Sequence, residues 1–205
     1  VIDELPKNRI PITTKVIDSQ RLSKVYEFIK KRIELGQQCM VVYPLVEESE
    51  KSDIAAAVDM YKKLKQKIFP DNTMGVIHGK MKSDEKKLIM KNFEENKIKI
   101  LVATTVIEVG IDVPNATIML IEHAERFGLT QLHQLRGRVG RGREKSYCIL
   151  VNRGSSEKSS NRLDIMEKTN DGFRIADEDL ILRGPGDYTG YQQSGFIKYK
   201  IADMV

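Results

Sequence analysis

Between residues 99 and 121 the chain reads KILVATTVIEVGIDVPNATIMLI. Two runs in it, residues 99–103 and 117–121, are apolar almost throughout, without the polar alternation of a half-buried strand. A strand apolar on both sides is one covered on both faces, as in a parallel sheet. Four further segments read as strands in the same series: residues 13–17, 38–43, 73–77 and 146–151. Amphipathic stretches lie between them. In RLSKVYEFIKKRIEL (residues 21–35), Leu22, Val25, Phe28, Ile29 and Ile33 recur at three- and four-residue spacings and form one apolar stripe. Residues 53–68 repeat this behind Asp53, a candidate N-cap. Residues 84–95 do so behind Ser83, where Lys86 three residues on gives no capping box. Strand, helix, strand, helix predicts a doubly wound α/β domain.

After Val151 the texture changes. NRGSSEKSSN (residues 152–161) reads as a hinge or loop. Two short helices are expected at residues 162–168 and 176–182, followed by RGPGDYTGYQQSG, with four glycines and one proline in thirteen residues. A loop this long and glycine-rich is more often functional than a mere connection. The single boundary expected lies near 153, dividing the chain into residues 1–153 and 154–205. There is no internal repeat and no low-complexity tract.

A length of 205 residues allows one domain, or one domain with an appendage. A hydrophobic fraction of 40% supports an ordinary core. No run of about 18 apolar residues occurs, which argues against a membrane-spanning helix. The opening VIDELPKNR, with two acids and no apolar core, does not read as a secretory signal. Cys39 and Cys148 lie in apolar runs and read as reduced core thiols rather than a disulfide framework. Together these predict a soluble, cytoplasmic protein. The 34 Lys and Arg exceed the 29 Asp and Glu, for a net charge of +5. Residues 1–153 carry 27 basic and 20 acidic side chains and residues 154–205 carry 7 and 9. That basic first part suits a nucleic-acid partner without requiring one.

Several chemistries are missing. GVIHGKM (residues 75–81) is one residue short of the phosphate-binding GxxxxGK[ST], and Met81 stands where a hydroxyl is needed to hold Mg²⁺. IMLIE (residues 118–122) has the outline of a Walker B strand but ends in Glu122 followed by His123, and reads as a structural strand end. The three histidines and two cysteines show no metal-ligand spacing. A complete ATP site is therefore not expected within this chain.

The strongest positive signal is QLRGRVGRG, residues 134–142. Arg136, Arg138, Arg141 and Arg143 fall within eight residues, with glycines between three of them. Planar guanidinium groups suit bidentate phosphate contacts, and Gly137 and Gly140 allow close backbone approach. A basic phosphate-binding loop on a non-enzymatic module would carry the same residues. The spacing QxxGRxGR, however, resembles the sixth motif of superfamily 2 helicases, found in their second RecA-like lobe. ILVATTVIEVGIDVPNA (residues 100–116) resembles the fifth motif. CMVVYPLVEESE (39–50) resembles the fourth, and VIHGKM (76–81) the strand and His-Gly turn that follow it. AERFGLTQLHQLRGRVGRG (124–142) and the tail RLDIMEKTNDGFRIADEDLILRGPGDYTGYQQSG (162–195) resemble the RecG family and its relative, the transcription-repair coupling factor. Pro185 in RGPGD and the opening VIDELPKNRIPITT favour the former. Two positions depart from the expected pattern: His123 stands for an Asn, and Gln192 for an Arg.

The resemblance implies a RecA-like P-loop NTPase-type fold: a second helicase lobe with a parallel sheet flanked by helices, and a C-terminal helical hairpin and loop. It implies an ATP-dependent DNA helicase acting on branched or forked duplex as a monomer. ATP and Mg²⁺ would be held mainly by an N-terminal lobe, with a wedge domain beside it. Arg138 and Arg141 would reach the γ-phosphate, with Gln134 sensing the nucleotide or orienting water, and Gly110 and Asp112 beside it. Gly79, Lys80, Thr104, Thr105, Arg162 and Gln193 would meet DNA. On this basis the chain alone is expected not to hydrolyse ATP.

Overall fold

Residues 10–44, 50–104 and 113–183 are described in a computed structural model of the chain. Six strands, β1 (Thr13–Asp18), β2 (Gln38–Tyr43), β3 (Met74–Ile77), β4 (Ile100–Thr104), β5 (Ala116–Ile121) and β6 (Tyr147–Asn152), form one sheet. Their order is β1-β6-β5-β2-β4-β3, and every pair is parallel. Each expected strand is present to within one residue at either end.

The unbroken apolar runs have the cause expected of them, because both faces of the sheet are covered. On one face Cys39, Val41, Val102 and Leu120 pack against Leu22, Ile29 and Ile33 of α1 (Leu22–Glu34). The same cluster holds Leu64 and Phe69, which follow α2 (Glu50–Lys63) through a short π-helical stretch, Leu64–Ile68. On the other face Met40, Val42, Leu101, Met119 and Leu150 meet Met90 and Phe93 of α3 (Ser83–Glu94) and Leu129, Leu132 and Leu135 of α4 (Leu129–Arg136). Leu163 and Met166 of α5 (Glu157–Lys168) and Ile175 of α6 (Gly172–Arg183) belong to this second cluster. The helices beyond residue 153 therefore share the core of the sheet. Burying each such side chain contributes roughly 1.5–3 kcal/mol.

Helix boundaries depart from the sequence pattern where local chemistry overrides it. The N-cap of α3 is Lys82, with extended backbone and no side-chain cap, so Ser83 is the first helical residue. Asp84 and Glu85 in that first turn complement the helix dipole instead. Helix α2 begins at Glu50, ahead of Asp53, because Glu and Lys are themselves good helix formers. Ser156 Oγ accepts from the Ser159 amide at 3.2 Å and starts α5 there, within the stretch expected to be a loop. Helix α4 has eight residues, too few for a periodic pattern, and follows Gly128, whose amide donates to Gln131 Oε1 at 3.1 Å.

No helix among the described residues is long and apolar enough to cross a membrane. Both cysteines are free and buried. Burial pushes the Cys148 thiol up to about 12, and raises Cys39 further, which makes both inert.

Candidate functional site

In a parallel sheet all strands start at one end and finish at the other, and the expected site residues divide between those two ends. At the carboxyl end, β3 runs into His78, Gly79 and Lys80. The turn is closed by the Met81 amide donating to His78 O at 3.2 Å. Gly79 and Lys80 are exposed, and a Cβ on Gly79 would meet nothing within 4 Å. Lys86 Nζ donates to Gly79 O at 2.9 Å, placing a second cation beside the turn. Burial, and then Lys86, hold the His78 imidazole below its usual pKa, so it stays neutral among these lysines. Thr104 ends β4 opposite Tyr43 and is 1% exposed; its Oγ1 has no partner among the described residues. Thr105, Gly110, Asp112 and Gln193 lie outside the described residues.

The arginine motif sits at the opposite end. Helix α4 leaves the carboxyl end of β5 and runs back along the sheet. The chain continues in helical turns through Gly137, with the Arg138 amide donating to Leu135 O at 2.9 Å. The Gly140 amide then donates to Ala116 O, at the start of β5. Gly140 has φ +76°, and a Cβ there would lie 3.0 Å from Ile12. A Cβ on Gly142 would lie 2.6 Å from the Pro114 carbonyl oxygen. Gly140 thus packs against the Ile12 side chain and Gly142 against the Pro114 backbone, where the sequence suggested that Gly140 allows approach to a ligand. Gln134 and Arg141 are exposed and Arg138 is half-buried. Strands of six residues separate this group from the Lys80 turn by about 17 Å along the sheet.

Two arginines turn to the fold: Arg136, which the motif contains without a role being expected of it, and Arg162, which was expected to meet DNA. Arg136, 2% exposed, donates through Nη1 to Thr14 Oγ1 (3.2 Å), Met166 O (3.0 Å) and Thr169 O (2.9 Å), while Nη2 lies 2.9 Å from His133 Nδ1. It joins the end of α4 to β1 and to the end of α5, and burial lowers its pKa. Gly172 makes room for this arrangement, since a Cβ there would lie 2.7 Å from His133 Nε2. Arg162 on α5 donates through Nη2 to Glu125 O and, at 2.9 Å, to Phe127 O, so that nitrogen is engaged in the fold.

At the strand end that the sequence reads as structural, the packing supplies a partner that was not foreseen. Glu122, wholly buried after β5, accepts from Arg153 Nε at 2.9 Å through Oε2. Its charge adds to the burial that raises Tyr26 to about 12 and Tyr43 further, keeping both phenols protonated. The visible signal was an acid closing an otherwise apolar strand. Among the described residues no group of three or more His, Cys, Asp or Glu could hold a metal ion.

The helicase conserved C-terminal domain family matches residues 20–143, and the family described as ATP-dependent DNA helicase RecG, domain 3, C-terminal, matches residues 169–205. The chain is 52% identical over 204 residues to the ATP-dependent DNA helicase RecG of Synechocystis sp., covering 100% of the chain and 24% of that protein. It is 49% identical over 205 residues to the RecG of Bacillus subtilis, covering 100% of the chain and 30% of that protein. The chain therefore spans less than a third of these relatives. A solved structure of RecG bound to a three-way DNA junction superposes with a TM-score of 0.76 at 45% identity, over 90% of this chain and 24% of that one. The second domain of the DEAD-box helicase Mss116p, bound to an RNA duplex, shares the fold at a TM-score of 0.61 and 19% identity, over 84% of this chain and 69% of that one.

Proposed function

The chain belongs to the helicase conserved C-terminal domain family and, within it, to the RecG group, and from that premise we propose that it is the second motor lobe and translocation segment of an ATP-dependent helicase that remodels branched DNA. The observation that best supports this is the arginine loop. Gln134 and Arg141 are exposed and Arg138 half-buried at one end of a RecA-like sheet, in a chain with no phosphate-binding loop of its own. Arg141 makes no ion pair with a carboxylate among the described residues, which fits a polyphosphate held from the other side of a cleft.

In this reading residues 1–153 are the motor lobe and residues 154–205 the translocation segment, a division of role within a shared core. Bound ATP, with Mg²⁺ held by the N-terminal lobe of the same protein, supplies the phosphoryl chemistry. Arg138 and Arg141 stabilise charge developing at the γ-phosphate, a contribution of roughly 10³–10⁵ in rate for such arginines, or about 4–7 kcal/mol of barrier. Gln134 senses the nucleotide in the same cleft, with Gly110 and Asp112 beside it. At the far end of the sheet Gly79 and Lys80 meet phosphates of the DNA, with Thr104 at the neighbouring strand end and Thr105 taking part in the same contact. Thr104 is buried, so its part is to shape the strand end under that contact. Arg162, engaged on Glu125 and Phe127, positions the tail, and Gln193 contacts DNA. The full protein would act as a cytoplasmic monomer on forked duplex, with the wedge domain beyond this chain. The match of residues 169–205 to RecG domain 3 favours this over transcription-repair coupling.

The test is ATP hydrolysis on forked DNA. The chain alone should show no turnover. In the full-length protein Arg138→Ala should lower DNA-stimulated turnover at least 10³-fold and leave fork binding intact, while Gln193→Ala should keep turnover and lose unwinding. Turnover by the chain alone, or normal unwinding by both variants, overturns the assignment.

A further inference from the structure

Helix α4 connects the two ends of the sheet. Eight residues span about 12 Å, from the turn after β5 at the carboxyl end to the arginine loop at the amino end. What fixes the base of this helix thus bears on where Arg138 lies at its tip. The base is a tight reversal. The Glu122 amide donates to Val42 O at 2.9 Å, His123 turns the chain with φ 50°, and Ala124–Arg126 form a single 3₁₀ turn before Gly128. Left-handed backbone at a non-glycine residue persists only where the surroundings hold it.

Here they do. Arg153, the residue after β6, reaches the turn twice: its Nε donates to Glu122 Oε2 at 2.9 Å and its own amide donates to Glu125 Oε2 at 3.0 Å. Glu125 Oε1 lies 3.3 Å from His123 Nδ1, so this one carboxylate ties the left-handed residue to the end of β6. Glu122 is buried while Arg153 is about a third exposed, which places one charge under the turn and the other at its edge. A charge-assisted hydrogen bond of this kind is short and directional.

We propose that Arg153, through its guanidinium on Glu122, is a positioning residue for phosphoryl transfer, in support of the main-chain tie to Glu125 that any residue at 153 would keep. It holds the turn at the base of α4 in the one geometry that presents Arg138 to the nucleotide. This rests on the reading of Arg138 as a group acting on the γ-phosphate. A rod clamped at the base turns rotation there into displacement at its tip, and transition-state stabilisation by a guanidinium is sensitive to displacement on the scale of an ångström.

The experiment compares full-length wild-type protein with Arg153→Gln, Arg153→Lys, Glu122→Gln and Arg138→Ala, measuring kcat and KM for ATP on forked DNA and fork affinity. Thermal melts verify that each variant is folded at the assay temperature. Arg153→Gln should lower kcat about tenfold while KM and fork affinity stay within twofold. Arg153→Lys, which retains a cation, should recover most of that loss, and Glu122→Gln should lower kcat about threefold. If Arg153→Gln is unfolded, the Glu122→Gln and Arg153→Lys values decide. An unchanged kcat, or parallel loss of kcat, KM and fork affinity without recovery by lysine, overturns the positioning role. Retention of turnover by Arg138→Ala would instead overturn the helicase-lobe assignment on which it rests.

Discussion

Replacing Arg136 by Ala tests whether the first arginine of the motif belongs to the fold rather than to the cleft. Its guanidinium satisfies two carbonyl oxygens at the end of α5, Met166 O and Thr169 O, and meets Thr14 Oγ1 and the His133 ring. Alanine has no donor to offer them. A buried acceptor left without a partner costs about 1–3 kcal/mol; Met166 O bears this in full and the part-buried Thr169 O less, for roughly 2–5 kcal/mol together. The Thr14 hydroxyl can rotate to another partner and adds little. Relief of the buried charge, which the lowered pKa of Arg136 records, offsets part of this. A net loss of about 3 kcal/mol is expected. At roughly 2–4 °C per kcal/mol for a domain of 150–250 residues, the melting midpoint should fall by about 6–12 °C. Arg136→Lys, with one ammonium in place of a fork, should fall between. Circular-dichroism melts of the chain and the two variants read this directly. A midpoint for Arg136→Ala within 2 °C of wild type would mean that the three elements are held together by something else.

Gly142→Ala would place a Cβ 2.6 Å from the Pro114 carbonyl oxygen. Because the obstacle is backbone, the loop must move, and a loss of about 1–3 kcal/mol is expected; a urea midpoint equal to wild type would contradict that packing. His78 gives a pH dependence with a definite sign. Its folded pKa lies below the unfolded value of 6.5, so the unfolded chain binds the proton first and stability falls as pH drops below about 6.5. His78→Gln should lose this component, seen as a smaller difference between melting midpoints at pH 7.5 and 5.5. An equal difference in both proteins would remove His78 from the account.

The sheet was legible because burial on both faces writes itself into the composition of each strand; CMVVY and ILVAT have no polar side to hide. Helix α4 was not, since eight residues make barely two turns, and the glycines and arginines that follow it suggested a loop. The four arginines looked alike in sequence, and only the packing of α5 distinguishes Arg136, turned inward, from Arg141, exposed. Arg162 shows the same limit: the resemblance implied a DNA contact there, and nothing local announces two carbonyl acceptors 35 and 37 residues away. Arg153 escaped notice because its partners sit 28 and 31 residues earlier, joined to it through the adjacency of β5 and β6.

The two ends of the sheet lie on either side of a core that cannot be compressed. β2, β4 and β5 are buried on both faces along their whole length, and interiors packed to that density transmit strain rather than absorb it. An event at the arginine end therefore reaches the Lys80 end by one of two mechanical routes: the lobe turns as a solid, or a strand-crossing element slides. Helix α4 is one such element. A cross-link that fastens α4 to the sheet would leave the first route open and block the second, so a single engineered disulfide would tell a rocking motor from a sliding one.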